Sequence, residues 1–163
     1  MKISQNQLGF SLIELLTAIA VMVLLAALVT PLLGDNDALR VDIARRLLIS
    51  DLEHAQILAI THPEDEIGVV LEEDGRGWHI ASLVDSTTPL WDPITEEALV
   101  VELGTGSASS ATNVVVETNA TANTISFNQY GGLTDFDQSL QLTLISGEKI
   151  AMITISPSTG NIE

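Results

Sequence analysis

Glu14, within LGFSLIELL (residues 8–16), is the only acidic residue before Asp35. A carboxylate in an apolar helix costs a few kcal/mol, about 2.5–3.5 at the centre of a membrane, unless it is neutralised or paired. The chemistry that this position calls for is therefore charge pairing with a cationic group. The alternative is that the side chain reaches the aqueous interface, since Glu14 lies only about one turn inside the apolar run.

The other polar residues form no recognisable catalytic or metal-binding pattern. His54, His62 and His79 occur without an HExxH motif or an acidic residue at metal-ligand spacing. GxSxG, P-loop and dinucleotide motifs are absent, and no catalytic triad can be nominated. The acidic patches, none of which follows the calcium-loop pattern, are Asp35–Asp37, Glu64–Glu66 and Glu72–Asp74. We therefore expect no enzyme activity, no cofactor and no metal.

The composition confines the chain to one modest domain and one unusually apolar segment. The 163 residues are 46% hydrophobic and 17% charged. With 22 acidic residues against six Lys and Arg, the net charge is -16, so no basic surface is available for phosphates and no nucleic-acid partner is expected. The absence of cysteine excludes disulfides and thiolate chemistry.

The apolar residues are concentrated in FSLIELLTAIAVMVLLAALV, from Phe10 to Val29, and extend to Leu33. Twenty helical residues measure about 30 Å, the thickness of a hydrocarbon core. The pattern predicts a membrane-spanning helix over residues 10–33. A removed secretory signal peptide is the alternative, but the run is too long, contains a glutamate and is followed by no small-x-small site.

Charge does not orient this helix. Lys2 precedes it, whereas Arg40, Arg45 and Arg46 follow it, so the positive-inside rule taken alone points the C-terminal part toward the cytoplasm. The opposite orientation comes only from the following resemblance.

The segment from Leu8 to Leu16 resembles the processing site of type IV prepilins and type II secretion pseudopilins. In that family a short polar leader ends in glycine, and a Phe then begins an apolar helix with Glu at its fifth position. Gly9, Phe10 and Glu14 occupy these places, and Pro31 falls where many family members have proline. The leader departs from the family in having a single basic residue, Lys2.

This resemblance implies cleavage after Gly9 by a prepilin peptidase and methylation of the new Phe10 amine. Glycine suits the cleavage site because it presents no side chain to a tight active site. The amine created by cleavage is a cation that a neighbouring subunit can present to Glu14 during filament assembly.

A second helix is predicted from about Ala38 to Thr61. Its apolar positions, spaced by three and four, are Leu39, Val41, Ala44, Leu47, Leu48, Leu52, Ala55, Leu58 and Ala59. Asp35 and Asp37 can cap its start, and the residue before Pro63 is a natural end. Pro31 and the weakly helical stretch 34–37 predict a soft joint between the two helices.

The remainder predicts strands that form an antiparallel sheet against this helix. The candidates are Ile67–Leu71, Trp78–Val84, Leu99–Leu103, Val114–Val116, Leu140–Leu144 and Ile150–Ile155. The first two flank a hairpin turn. The stretch Gly104–Asn113, which contains only Gly, Ser, Ala, Thr and Asn, is expected to be a mobile loop.

Three later stretches resemble the GspH/FimT group of minor pseudopilins and pilins. They are ARRLLISDLEHAQILAI (44–60), ISFNQYGGL (125–133) and ITISPSTGNIE (153–163). The resemblance implies an α+β, pilin-like fold, in which the amphipathic half of a long N-terminal helix packs on the sheet. It also implies a leader at 1–9, a filament-core helix at 10–33 and an extracytoplasmic domain at 34–163.

The function implied is that of a minor pseudopilin in a type II secretion system or a related pilus-like filament. The expected partners are prepilin peptidase, other pilins or pseudopilins, an inner-membrane assembly platform and, before assembly, membrane lipid. The expected location is the bacterial inner membrane, with the C-terminal domain outside the cytoplasm. The alternatives are a FimT-like minor pilin in DNA uptake and a membrane-anchored binding domain.

Overall fold

The computed structural model of the chain describes residues 11–29, 36–120, 122–134 and 137–163. The chain divides into two units, Met1–Asp35 and Asn36–Glu163. Gly9, Phe10, Pro31, the predicted cap Asp35 and most of the predicted joint lie outside the described residues.

The first unit contains helix α1, Leu12–Val29. The helix begins where the carbonyl oxygen of Ser11 accepts hydrogen bonds from the backbone N–H groups of Glu14 and Leu15, at 2.9 and 3.1 Å. Within the described part of the chain, no helix combines the length and the apolar character needed to cross a membrane. The span predicted over 10–33 extends beyond those residues at both ends and stays a prediction.

Helix α2, Asp37–Thr61, begins the second unit and confirms the predicted amphipathic helix. Its buried face comprises Val41, Ala44, Leu48, Leu52, Ala55 and Ala59. Leu39 was expected on this face but is exposed, because two residues of helix turn it about 200° away from Val41. The helix ends at His62, whose N–H donates to the carbonyl of Leu58 just before Pro63.

The first sheet has the strand order β3-β2-β1-β5 and is antiparallel throughout. Its strands are β1 (Ile67–Leu71), β2 (Gly77–Ser82), β3 (Val100–Glu102) and β5 (Thr124–Ser126). The predicted hairpin joins β1 to β2, with Ile67 opposite Ser82 and Leu71 opposite Trp78.

The second sheet has the order β4-β6-β7. Its strands are β4 (Val115–Thr118), β6 (Leu140–Ser146) and β7 (Lys149–Ile155). The expected single sheet is thus two sheets, because β4 leaves the first sheet and β5 then returns to it. Helix α2 contacts β1 of one sheet and β6 and β7 of the other, so both sheets share one core with it.

The stretch 104–113 differs from the mobile loop that was expected. It contains a short 3-10 turn, Gly106–Ala108, and the side chains of Ala108 and Ala111 are fully buried. The Ala108 carbonyl accepts hydrogen bonds from Gly104 and Ala111 at 2.9 Å. Alanine is small enough to join the core from a close-packed loop, a role that composition alone does not reveal.

Candidate functional site

Glu14 lies in the first turn of α1, with its side chain exposed. Its backbone carbonyl accepts a hydrogen bond from the Thr17 hydroxyl at 2.9 Å, one turn further along. Among the described residues Glu14 makes no salt bridge. The carboxylate is therefore available to a cation from outside the described part of the chain.

Apart from Glu14 and Thr17, α1 is apolar on every side. From Ser11 to Ala27 each described side chain is exposed, and the large apolar ones are between 54% and 82% exposed. Helices of this kind belong inside a bundle or in lipid, since water favours a polar face. The other two predicted site residues, Gly9 and Phe10, lie outside the described residues, so their position relative to Glu14 stays a prediction.

Asp37 ties the start of α2 to the turn between β6 and β7. Its Oδ1 accepts hydrogen bonds from Arg40 Nη1 at 3.2 Å and from the buried hydroxyl of Ser146 at 3.1 Å. The N-cap is Asn36, which makes no side-chain capping bond, so the predicted capping role of Asp37 is wrong. Asp37 instead holds the first turn of α2 against the end of β6.

A buried tryptophan locks the middle of α2 to the first sheet. Trp78 on β2 is fully buried, and its indole Nε1–H donates to Asp51 Oδ2 at 2.6 Å. Burial raises the pKa of Asp51, while the Trp78 hydrogen bond and the charge of His54 act in the opposite direction. This contact sets the position of β2 along the helix.

We expect Asp51→Ala to lower the free energy of unfolding by about 1–3 kcal/mol, because the buried indole N–H loses its acceptor. Asp51→Asn keeps an acceptor and serves as the control. Because folding raises the pKa of Asp51, this carboxyl stabilises the wild-type fold most at pH values below the ordinary carboxyl pKa. That stabilisation is lost as the pH rises through the raised pKa of the folded state. Asp51→Asn should therefore gain on wild type in urea unfolding as the pH rises above the ordinary carboxyl pKa. Equal stability of the Ala and Asn variants would refute the hydrogen-bond role.

Gln56 joins the three stretches that resemble the GspH/FimT group. It lies on α2, and its Nε2 donates to the carbonyls of Gly131 at 2.7 Å and Gly160 at 3.1 Å. The two loops also bond directly, since the Leu133 N–H donates to the Pro157 carbonyl at 2.8 Å. Three weak motifs distant in sequence thus form one structural junction, the Gln56 junction.

The Gln56 junction should be intolerant of a side chain at Gly160. Gly160 has φ +64°, and an added Cβ would overlap the Gly131 carbonyl. Gly106 is the matched control, since it has φ +46° but open space around it. We expect Gly160→Ala to destabilise the fold by at least 2 kcal/mol more than Gly106→Ala. In Gly106→Ala the only cost is that of an alanine in the left-handed backbone conformation, about 1–2 kcal/mol. Equal losses in thermal or urea unfolding would show that this close approach does not matter.

The histidines and acidic patches form no metal-binding cluster among the described residues. His79 is buried, with Nε2 at 2.8 Å from the Ser86 carbonyl and Nδ1 at 3.2 Å from Glu72 Oε1. No group of three or more candidate ligands is close enough to hold a metal ion in the described part of the chain. His79 therefore has a packing role.

Sequence reasoning did not single out Asp51, Gln56 or Trp91 as individually important. The first two act through partners 27 or more residues away, so no local signal identifies them. Trp91 is one of only two tryptophans and is 67% exposed, an unusual position for the largest aromatic side chain.

Comparison with known proteins supports both the N-terminal motif and the fold. Residues 4–30 match the family model described as the prokaryotic N-terminal methylation motif, an interval that contains Gly9, Phe10 and Glu14. A match to this motif implies processing by a prepilin peptidase and assembly with other pilins. A search of curated protein sequences finds no match.

Two solved structures share the fold. The type IV minor pilin FimU of Pseudomonas aeruginosa PAO1 is 16% identical with a TM-score of 0.56, over 78% of this chain and 90% of that one. The minor pseudopilin EpsH from the Type 2 Secretion System of Vibrio cholerae is 12% identical with a TM-score of 0.54, over 78% and 94%. The predicted α+β, pilin-like fold is thus confirmed. The chain therefore carries a prokaryotic N-terminal methylation motif and has a pilin-like α+β fold.

Proposed function

We propose that the chain is a minor, non-enzymatic subunit of a type IV pilus-like filament, either a type II secretion pseudopilus or a related pilus. The observation that carries this proposal is α1, which is apolar on every side except for Glu14 and Thr17 near its start. The same helix lies within the matched methylation motif.

The exposed side chains of α1 call for an apolar environment. Ten of its described side chains are large, apolar and exposed. Complete burial of a fully exposed side chain of this kind contributes about 1.5–3 kcal/mol, so burying the exposed parts of all ten would contribute on the order of 10–20 kcal/mol. We propose that the bacterial inner membrane provides this environment before assembly, and that the filament core does so afterwards.

The proposed processing supplies the partner of Glu14. Prepilin peptidase would cut after Gly9, and the new Phe10 amine would be methylated. The amine of one subunit would then pair with Glu14 of its neighbour as their helices pack side by side. Because an unpaired carboxylate is penalised in an apolar core, this pairing would select one axial stagger between subunits.

Charge favours a minor subunit over a homopolymer. Residues 36–163 contain 20 acidic and five Lys or Arg residues. Identical domains packed within one Debye length, about 8–10 Å, would repel one another. A few copies placed among other pilins or pseudopilins would avoid most of this repulsion. We propose that an inner-membrane assembly platform adds these copies together with the other subunits.

The same charges disfavour the DNA-uptake alternative. Arg40 is paired with Asp37 at 3.2 Å, and Arg46 with Asp42 at 2.9 Å. The other bases of the soluble unit are Arg45, Arg76 and Lys149. Tight DNA binding needs several uncompensated cations. We therefore expect no gel shift of double-stranded DNA at moderate salt, and a tight shift would favour the alternative.

Filament incorporation tests the proposal. A tagged chain should be expressed beside a complete type IV pilus-like system, and sheared filaments should then be purified and quantified by mass spectrometry. We expect the chain at far below the amount of the main subunit, and only when that subunit is present. Filaments of this chain alone would contradict a minor role. A chain that works while staying outside filaments would indicate a membrane-anchored binding domain.

A strain lacking this gene distinguishes the two machines. Loss of exoprotein secretion would assign the chain to a secretion system, whereas loss of surface pili and of the movement they power would assign it to a pilus.

A further inference from the structure

An apolar groove lies beside the C-terminal end of α2, far in sequence from the N-terminal motif. Its volume is about 410 Å³. Its floor and walls include Leu58 of α2, Ile67 of β1, and Leu90, Trp91 and Leu99 from the segment between β2 and β3. We call it the Trp91 groove.

Trp91 is held in place by its neighbours. The Leu90 N–H donates to the Ile80 carbonyl of β2 at 2.7 Å, and the Leu99 N–H donates back to the Leu90 carbonyl at 2.7 Å. Trp91 itself is bridged to Ala98. The backbone that carries the 67% exposed indole is thus held by hydrogen bonds. Less conformational entropy is therefore lost when a partner covers Trp91.

The polar lining of the groove includes two carboxylates and two histidines. Asp65 and Asp92 line it together with His54 and His62, and none of the described residues that line it is Lys or Arg. The backbone N–H of Ile94 donates to Asp92 at 2.7 Å and holds the pKa of Asp92 below its usual range. Asp92 therefore presents negative charge at neutral pH.

These features specify the chemistry of an occupant. An apolar floor with an aromatic anchor and a charged rim resembles the centre of a protein interface, where Trp is over-represented. The acidic rim and the net charge of -16 repel nucleic acid, anionic lipid and a second copy of this chain. We propose that the Trp91 groove docks a segment of another protein that combines large apolar side chains with Lys or Arg.

This inference goes beyond the proposed filament role, and binding can be tested without filaments. The full chain, reconstituted in nanodiscs of zwitterionic lipid, is titrated against three fluorescently labelled octapeptides with capped ends. These alternate Leu with Lys, Leu with Glu, and Ser with Lys. Anisotropy reports binding, and the emission of Trp91 reports its location, since fully buried Trp78 already lies in an apolar environment.

Two groove variants have matched controls on the same surface. Trp91→Ala is paired with Val84→Ala, which removes an 89% exposed side chain outside the groove. Asp65→Lys is paired with Glu64→Lys, the same charge reversal one residue away from the groove. Because all four residues are exposed, each variant is expected to fold, and an unchanged circular dichroism spectrum would verify this.

The expected result is binding of the Leu/Lys peptide with a blue shift of Trp91 emission. Trp91→Ala and Asp65→Lys should each weaken binding at least tenfold, whereas both controls should stay within twofold of wild type. The Ser/Lys peptide should bind at least tenfold more weakly, and the Leu/Glu peptide should not bind. No binding at millimolar Leu/Lys peptide, equal binding of Ser/Lys peptide, or equal losses in the controls would overturn the proposal.

Discussion

Replacing Glu14 by alanine is expected to remove the subunit from filaments while leaving cleavage and the folding of residues 36–163 intact. Glu14 lies in the first turn of α1 and makes no salt bridge among the described residues. If pairing with a Phe10 amine offsets about 3 kcal/mol, its loss should lower incorporation roughly 100-fold.

The controls separate charge from helix stability. Glu14→Gln keeps nearly the same shape but loses the charge, so it should fail to assemble as the alanine variant does. Thr17→Ala removes the polar side chain one turn further on and loses only its bond to the Glu14 carbonyl, so it should assemble normally. The measurement is the amount of each subunit in sheared filaments relative to the membrane fraction. Wild-type incorporation of Glu14→Ala would defeat the pairing argument.

Replacing Gly9 by valine is expected to leave the leader on the chain. The glycine at this position presents no side chain next to the scissile bond, whereas valine adds two branched methyl groups there. We expect the cleaved fraction to fall at least tenfold, which immunoblotting would show as a band nine residues larger.

A neighbouring substitution controls for general damage to the leader. Leu8→Ala changes the preceding residue without adding bulk and should be cleaved at a rate close to that of wild type. If the Gly9→Val protein began at Phe10 by mass spectrometry, the proposed cleavage site would be misplaced. Absence of the Gly9→Val subunit from filaments would follow both from the proposed cleavage and from the proposed pairing of the Phe10 amine with Glu14. The mass of the chain is therefore the decisive readout for this variant.

Features set by local patterns could be predicted from the sequence. The spacing of Val41, Ala44, Leu48 and Leu52 by three and four predicts α2 and its buried face. Alternation in Leu140–Leu144 and the turn at 72–76 predict β6 and the β1–β2 hairpin within about two residues. The N-terminal motif is also local, which explains why it was recognisable without a structure.

Features set by contacts distant in sequence could not be predicted. The division into two sheets depends on β5 returning to pair with β1, which no neighbouring residue of β5 encodes. The hydrogen bonds of Gln56 to Gly131 and Gly160 join residues 75 and 104 positions apart in sequence. Because the three stretches that resemble the GspH/FimT group meet only in the folded chain, each is a weak signal by itself. Ala108 and Ala111 are buried because of what packs against them, since small residues are equally common in open loops.

The most direct test of the central claim is the intact mass of the native chain extracted from membranes or filaments, with fragmentation to locate its first residue. The account predicts a chain that begins at Phe10 and carries one methyl group on its amine. A functional chain that still begins at Met1, or that begins at any residue other than Phe10, would contradict it.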